Sequence, residues 1–142
     1  MKKLISIIIP MYNEEESLPY LYDRLTKLSD KIENYNMEFL FVNDGSKDNS
    51  LNIVKAYKKS DERVCYLNLS RNFGKEVAMA AALDYVRGDV VAIIDADLQD
   101  PPELIIDMIK YYEEGYDDVY AKRKSRKGET ILKKFTSHTF YR

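Results

Sequence analysis

The stretch Val90-Val91-Ala92-Ile93-Ile94-Asp95-Ala96-Asp97-Leu98-Gln99-Asp100-Pro101-Pro102-Glu103 limits the possible folds more than any other, because a continuous apolar run is cut off by carboxylates and then by two prolines. Four of the five residues from Val90 to Ile94 are β-branched and none is polar, the pattern of a strand covered on both faces in a parallel sheet. Asp100 is placed as a helix N-cap, Pro101 at the first helical position, where no N–H is needed, and Glu103 where a capping box puts its acid. A helix is therefore predicted from about 101. Asp95, Ala96 and Asp97 then lie at the carboxyl end of the strand, the edge where open α/β sheets bind ligands. Asp95, Asp97 and Gln99 recur at every second residue, so an extended segment would point all three side chains the same way. Two carboxylates and an amide oxygen suit Mg²⁺ or Mn²⁺, with a substrate phosphate and water completing the shell. The plainer alternative is that these acids only cap the helix and solvate a loop.

Further strands are predicted at Leu4 to Ile9, stopped by Pro10, at Met37 to Val42, at Val64 to Leu69 and, more briefly, at about 117–121. Between them, apolar residues recur at helical spacing over about 17–33, 48–59, 75–87 and 102–114. Alternating strands and helices predict an α/β fold, a mostly parallel sheet with helices on both faces and right-handed crossovers. If the first strand is central, with order 3-2-1-4, the switch point lies between the first and fourth strands and Glu14 comes beside Asp95 and Asp97.

Tyr12-Asn13-Glu14 is more than the following helix needs for a cap, which leaves Tyr12 to stack on or line a base and Glu14 to accept from a base or ribose. Asn43-Asp44-Gly45-Ser46 forms a turn at the end of the second strand. Arg71 and Lys75 flank a predicted helix start, where free N–H groups and the helix dipole favour phosphate. The patterns G-x-x-x-x-G-K and G-x-G-x-x-G are absent, which argues against a Walker-type phosphate loop and a dinucleotide dehydrogenase.

The 142 residues suffice for one domain with an ordinary core. At 45% hydrophobic and 32% charged residues, the composition is that of a soluble globular protein and excludes a disordered one. No apolar run reaches the length of a membrane span, and Met1-Lys2-Lys3 opens no signal peptide, so the chain as given is expected to be soluble and cytosolic. The single Cys65 has no disulfide partner and is read as a small core residue, and the lone His138 as a surface side chain. Charge is uneven: residues 1–121 carry 14 basic and 23 acidic groups, whereas 122–142 carry 8 basic and 1 acidic. The chain is accordingly divided into a core, 1–121, and a basic segment, 122–142. In the latter, Ile131, Leu132, Phe135, Thr139 and Phe140 lie among lysines as in a basic amphipathic helix facing a membrane surface. Nucleic acid is disfavoured as a partner, because Phe135, Phe140 and Tyr141 fit one apolar helix face better than base stacking. No terminating signal precedes Arg142, which suggests a longer polypeptide.

Four pieces in this order, Ile9-Pro10-Met11-Tyr12-Asn13-Glu14, Val42-Asn43-Asp44-Gly45-Ser46, Ser70-Arg71-Asn72-Phe73-Gly74-Lys75 and Asp95-Ala96-Asp97-Leu98-Gln99-Asp100-Pro101-Pro102-Glu103, resemble family 2 nucleotide-sugar glycosyltransferases of the GT-A, Rossmann-like fold. Within that family the likeness is to polyprenyl-phosphate glycosyltransferases. The resemblance covers essentially the whole chain. It implies that Pro10, Tyr12, Glu14, Val42 and Asp44 line the nucleoside site, with Lys75, Asp95 and Ala96 completing the nucleotide-binding set. Asp95, Asp97 and Gln99 would hold the metal on the diphosphate of a UDP-sugar or GDP-sugar, and Arg123 matches a family arginine near the phosphates, with Arg126 a weaker match. Asp95, Asp97 and Arg123 are thus the expected catalytic residues. The acceptor implied is a polyprenyl phosphate, and the full-length protein would act at the cytoplasmic face of the membrane. Such an acceptor oxygen is already ionised and needs no general base, and a single displacement inverts the anomeric centre. The alternatives are transfer to a saccharide or protein hydroxyl, which would need a carboxylate base, and a Mg²⁺-binding receiver-like signalling domain.

Overall fold

The computed structural model describes residues 2–123 and 130–135, with side chains described for 2–119. In chain order the elements are β1 (Lys3–Met11), α1 (Leu18–Lys31), β2 (Tyr35–Asn43), α2 (Ser50–Ser60), β3 (Val64–Asn68), α3 (Lys75–Leu83), β4 (Val90–Ile93), α4 (Leu104–Glu113), β5 (Asp118–Arg123) and β6 (Thr130–Phe135). Contacts divide the chain into two compact units, 1–100 and 101–142.

In the first unit, four parallel strands run in the order β3-β2-β1-β4, as expected, with β1 between β2 and β4. The absence of polar alternation in β1 has a direct cause: Ile5, Ile7, Ile8 and Ile9 are all fully buried, so both faces of this strand are covered. Ile8, Leu40 and Val42 face Ala78 and Ala82 of α3, whose small side chains let the helix backbone approach the sheet. The neighbouring residues Ile7, Ile9, Phe39 and Phe41 alternate to the other face. Right-handed crossovers place α1 and α2 on that side and α3 on the opposite one. α1 buries Leu18, Leu21, Leu25 and Leu28, one helical stripe.

At mid-sheet a buried polar network ties three segments. The Ser6 hydroxyl donates to Glu38, the Gly88 N–H donates to Ser6 Oγ at 2.8 Å, and the Arg87 N–H and guanidinium donate to the Glu38 carboxylate at 3.0 and 2.9 Å. Burial alone raises the Glu38 carboxyl, but these donors outweigh it and hold the group below the usual carboxylate range. α3 stops at Leu83 rather than near 87, where its last turn tightens and the Asp84 and Tyr85 N–H groups donate to the carbonyls of Ala81 and Ala82 at 3.2 and 2.9 Å. The N–H groups of Arg87 and Gly88 are committed to β1 and β2 side chains and cannot continue the helix ladder.

A second network joins α1, α2 and the start of β3. Tyr22 Oη donates to Asp61 Oδ2 at 2.6 Å, Arg63 Nε and Nη2 donate to the same carboxylate at 2.9 Å each, and the Tyr22 ring stacks on Tyr57 at 3.9 Å. The Arg63 guanidinium holds the Asp61 carboxyl down; burial opposes this, the Tyr22 hydroxyl adds to it, and the net value is about 2. In the unfolded chain an Asp titrates near about 3.9. The folded state therefore gains stability above about pH 4 and loses it as pH falls toward 2, on the order of 2 kcal/mol. Asp61→Asn is expected to flatten the dependence of urea-unfolding stability on pH between 5 and 2. An equally steep dependence in the variant would remove Asp61 as its source.

In the second unit, α4 begins at Leu104, three residues later than predicted, with Glu103 at the cap position and no side-chain cap hydrogen bond. Pro102 disfavours helical geometry at Pro101. Leu104, Ile105 and Ile106 donate to the carbonyls of Pro101, Pro102 and Glu103 at 3.0 Å each, so the helix is entered through tight i→i+3 bonds. Residues 130–135 correct the helix expected there: they form β6, antiparallel to β5, with Arg123 opposite Thr130 and Asp118 opposite Phe135. A six-residue apolar and basic segment fits either period, and pairing with β5 decides it. The remainder of that expectation, residues 136–142, lies outside the described residues. Among the described residues no helix is long and apolar enough to cross a membrane.

Candidate functional site

The loops after β1, β2 and β3 meet at the carboxyl edge of the sheet, and the first two are fastened to each other. The Asn13 N–H donates to Ser46 Oγ at 2.9 Å, Glu14 N–H to Ser50 Oγ at 2.8 Å and Glu15 N–H to Asp48 Oδ2 at 3.1 Å, while Asn13 Oδ1 accepts from the Lys47 N–H at 2.8 Å. Asn13 adopts φ of 53°, a left-handed conformation that asparagine tolerates better than most residues. The Tyr12-Asn13-Glu14 run is therefore not surplus to folding, since its asparagine joins two loops.

The third loop is held by Asp44. This residue is 4% exposed, and its carboxylate accepts from the N–H groups of Phe73 at 2.7 Å and Gly74 at 3.0 Å. Gly45 permits the close approach: it has φ of +73°, and an added Cβ would lie 2.4 Å from the Asn72 nitrogen. Sequence reasoning gave Asp44 a nucleoside contact and missed this clamp. The pairing lies 29 residues away, and no local pattern signals it.

A cavity of about 220 Å³ opens between these loops, lined by Pro10, Met11, Tyr12, Glu14, Asp44, Lys75, Asp95, Ala96 and Asp97. Seven of the eight residues expected to bind nucleotide line it. Val42 does not: it is fully buried among Ile8, Leu40, Ala78 and Ala82, because its position in β2 points it at α3. Tyr12 is 41% exposed, which leaves its ring free to stack. A second cavity of about 650 Å³ shares Glu14 and Asp97 and adds Glu15, Glu16 and Asp48, with Lys47 as its basic side chain.

Carboxylates dominate the electrostatics here. Burial raises the Glu14 carboxyl; the Ser17 hydroxyl, 3.1 Å away, offsets part of that, and repulsion from Asp97, Asp48 and Asp95 raises it further. Asp95 forms an ion pair with Lys75, the first residue of α3. Asp97 is exposed, and its Oδ1 accepts from the Gln99 N–H at 3.1 Å.

The expected alternation of Asp95, Asp97 and Gln99 does not hold. β4 ends at Ile93, and Leu98 takes φ of 64°, so the segment turns instead of running extended. Gln99 is exposed and lines neither cavity. Among the described residues no cluster of three or more His, Cys, Asp or Glu is arranged to hold a metal. Asp95 and Asp97 are nevertheless the hard oxygen donors that suit Mg²⁺ or Mn²⁺, ions commonly held by one or two carboxylates while substrate phosphates and water complete the shell. The donor set thus fits a metal that arrives with a diphosphate. The backbone of Arg123 lies in β5, whereas its side chain and all of Arg126 are outside the described residues.

Comparison with known proteins bears on the family and the fold. A glycosyltransferase named YkcC of Bacillus subtilis, itself uncharacterized, is 51% identical over 138 residues, 96% of this chain and 42% of its own length. The bactoprenol glucosyl transferase of Shigella phage SfX is 43% identical over 138 residues, 97% of this chain and 45% of its own. The chain therefore spans less than half the length of the curated relatives it matches. Among solved structures, S. aureus TarS in complex with UDP-GlcNAc superposes with a TM-score of 0.66 at 30% identity, over 84% of this chain and 33% of that one. The mannosyltransferase PcManGT of Pyrobaculum calidifontis, in complex with GDP-Man and Mn²⁺, gives 0.70 at 21% identity, over 84% and 35%, which speaks to fold alone. The model of the family described as "Glycosyl transferase family 2" matches residues 6–142, and the chain, with its GT-A fold, belongs to that family.

Proposed function

We propose that this chain is the nucleotide-sugar-binding part of a glycosyltransferase that moves a hexose from a UDP-sugar or GDP-sugar to a polyprenyl phosphate, with a divalent ion and with inversion. The observation that carries the reading is the 220 Å³ cavity, where Tyr12, Asp44, Lys75, Asp95 and Asp97 come together from four separate stretches of sequence. The relative named bactoprenol glucosyl transferase supports a lipid-linked phosphate as acceptor, and the UDP-GlcNAc complex of TarS supports a nucleoside diphosphate sugar as donor. Membership of family 2 gives the receiver-like alternative no support.

In this reading Tyr12 stacks on the base and Glu14 accepts from base or ribose. Asp95 and Asp97 would hold the metal, and Lys75 places a positive charge beside the diphosphate. A bound divalent ion supplies neutralisation of the charge that builds on the departing diphosphate. The acceptor phosphate oxygen, already ionised, forms the new bond to the anomeric carbon as the bond to the diphosphate breaks and leaves with its electron pair. No proton has to move. Arg123 adds charge near the phosphates, as the family resemblance implies. Residues 122–142, with 8 basic and 1 acidic groups, approach the anionic membrane surface that holds the acceptor.

Calorimetric titration of UDP-glucose and GDP-mannose with and without Mn²⁺ tests the donor side. One of the two is expected to bind, and only with Mn²⁺ present; no heat from either would overturn the reading. On the acceptor side, flotation is expected on anionic vesicles, weakly on neutral ones, and less as salt rises. No preference for anionic lipid would remove the membrane contact.

A further inference from the structure

Lys75 stands in an unusual relation to the proposed metal site. Its ammonium is paired with Asp95, one of the two carboxylates assigned to the ion, and both side chains line the 220 Å³ cavity. The position is built from below. Gly74, with φ of 101°, caps α3, and the N–H groups of Phe73 and Gly74 are gripped by the buried Asp44 carboxylate, so the first residue of the helix starts from a fixed point on the end of β2. Gly45 packs against the backbone of Arg71 and Asn72 and limits that loop from the other side. A lysine on a free loop would sample many partners. This one is delivered to Asp95.

We infer that Lys75 is a tethered counter-cation: it neutralises Asp95 in the empty site, competes there with a free divalent ion, and is released to the diphosphate when metal and nucleotide enter together. The inference rests on the proposed function and deepens it by assigning the order of charge exchange. An ammonium and a dication cannot both be neutralised by one carboxylate, whereas a nucleoside diphosphate brings its own negative charge and gives the displaced lysine a new partner. The empty site therefore discriminates against metal alone and accepts metal with its nucleotide.

Titration of free Mn²⁺ by electron paramagnetic resonance, without nucleotide and then with saturating UDP or GDP, tests this. In the absence of nucleotide, Lys75→Met is expected to bind Mn²⁺ roughly two- to fivefold more tightly than the parent chain, the range of a half-exposed ion pair. Its affinity for the nucleotide in the presence of Mn²⁺ is expected to fall. Lys75→Arg should retain the parent's weak binding of free Mn²⁺. Lys47→Met, which removes the same charge from the neighbouring cavity, controls for general electrostatics. If Lys75→Met binds free Mn²⁺ no better than the parent, or if Lys47→Met gains as much, the tethered-cation role is overturned while the proposed function stands. If no variant, the parent included, binds Mn²⁺ even with nucleotide, both fall.

Discussion

Alanine at Asp97 is expected to abolish the Mn²⁺-dependent part of nucleotide-sugar binding and leave the fold intact. The carboxylate is exposed and accepts one backbone hydrogen bond, from Gln99, so the structural loss is on the order of 1 kcal/mol. Functionally the loss is larger. Residues that merely orient a metal ligand typically cost about 10–100-fold when removed, so a direct ligand is expected to cost at least about a hundredfold. The comparison to make is calorimetric affinity with Mn²⁺ and with EDTA, for the parent chain and for Asp97→Ala and Asp97→Asn, alongside urea unfolding. Equal affinity of the parent chain in Mn²⁺ and EDTA would sink the metal assignment. An unfolded variant would show instead that the turn at 96–99 is structural.

Gly45→Ala is expected to be the most destabilising conservative change near the site. A left-handed φ costs a residue with a Cβ about 1–2 kcal/mol. The new methyl would also lie 2.4 Å from the Asn72 nitrogen and 2.5 Å from the Arg71 carbonyl carbon. These are backbone atoms, which cannot swing aside as a side-chain tip would. Overpacking of this kind adds about 1–3 kcal/mol, a large share of the roughly 5–15 kcal/mol that holds a domain together. Urea unfolding should shift to a lower midpoint, and nucleotide affinity should fall with it, because moving residues 71–72 disturbs the Asp44 grip on 73–74. An unchanged midpoint would mean that the loop yields at no cost.

What the sequence made legible depended on whether the cause was local. β1 and β2 announced themselves through mainly apolar runs because both sheet faces are covered there. β4, expected to be covered on both faces as well, stands at the end of the order β3-β2-β1-β4 with Val91 38% and Ile93 46% exposed. That order is the one supposed for a central first strand. Seven of the eight positions expected to bind nucleotide line one cavity because strand ends in such a sheet share one edge. Val42 does not line that cavity, because adjacent residues of one strand face opposite ways and Val42 looks into α3. The alternation of Asp95, Asp97 and Gln99 failed because it assumed an extended chain, whereas β4 ends at Ile93 and Leu98 is left-handed. Asp44 and Asn13 carry structural duties that sequence could not show, since their partners lie some thirty residues away. Thr130 to Phe135 was too short for periodicity to separate strand from helix, and only the facing strand β5 resolves it.

The fastening of residues 13–15 to residues 46–50 restricts how this site can diversify. Four hydrogen bonds, Asn13 with Ser46, Asn13 with Lys47, Glu14 with Ser50 and Glu15 with Asp48, tie three consecutive residues of the first segment to four positions of the second. One residue inserted or deleted within 13–15 or 46–50 would move several of these partners apart and leave more than one N–H group unmatched at once. Loop length, the usual variable at the carboxyl edge of such sheets, is locked here. Changes of ligand preference must come by exchanging side chains such as Tyr12 on a frame of constant length.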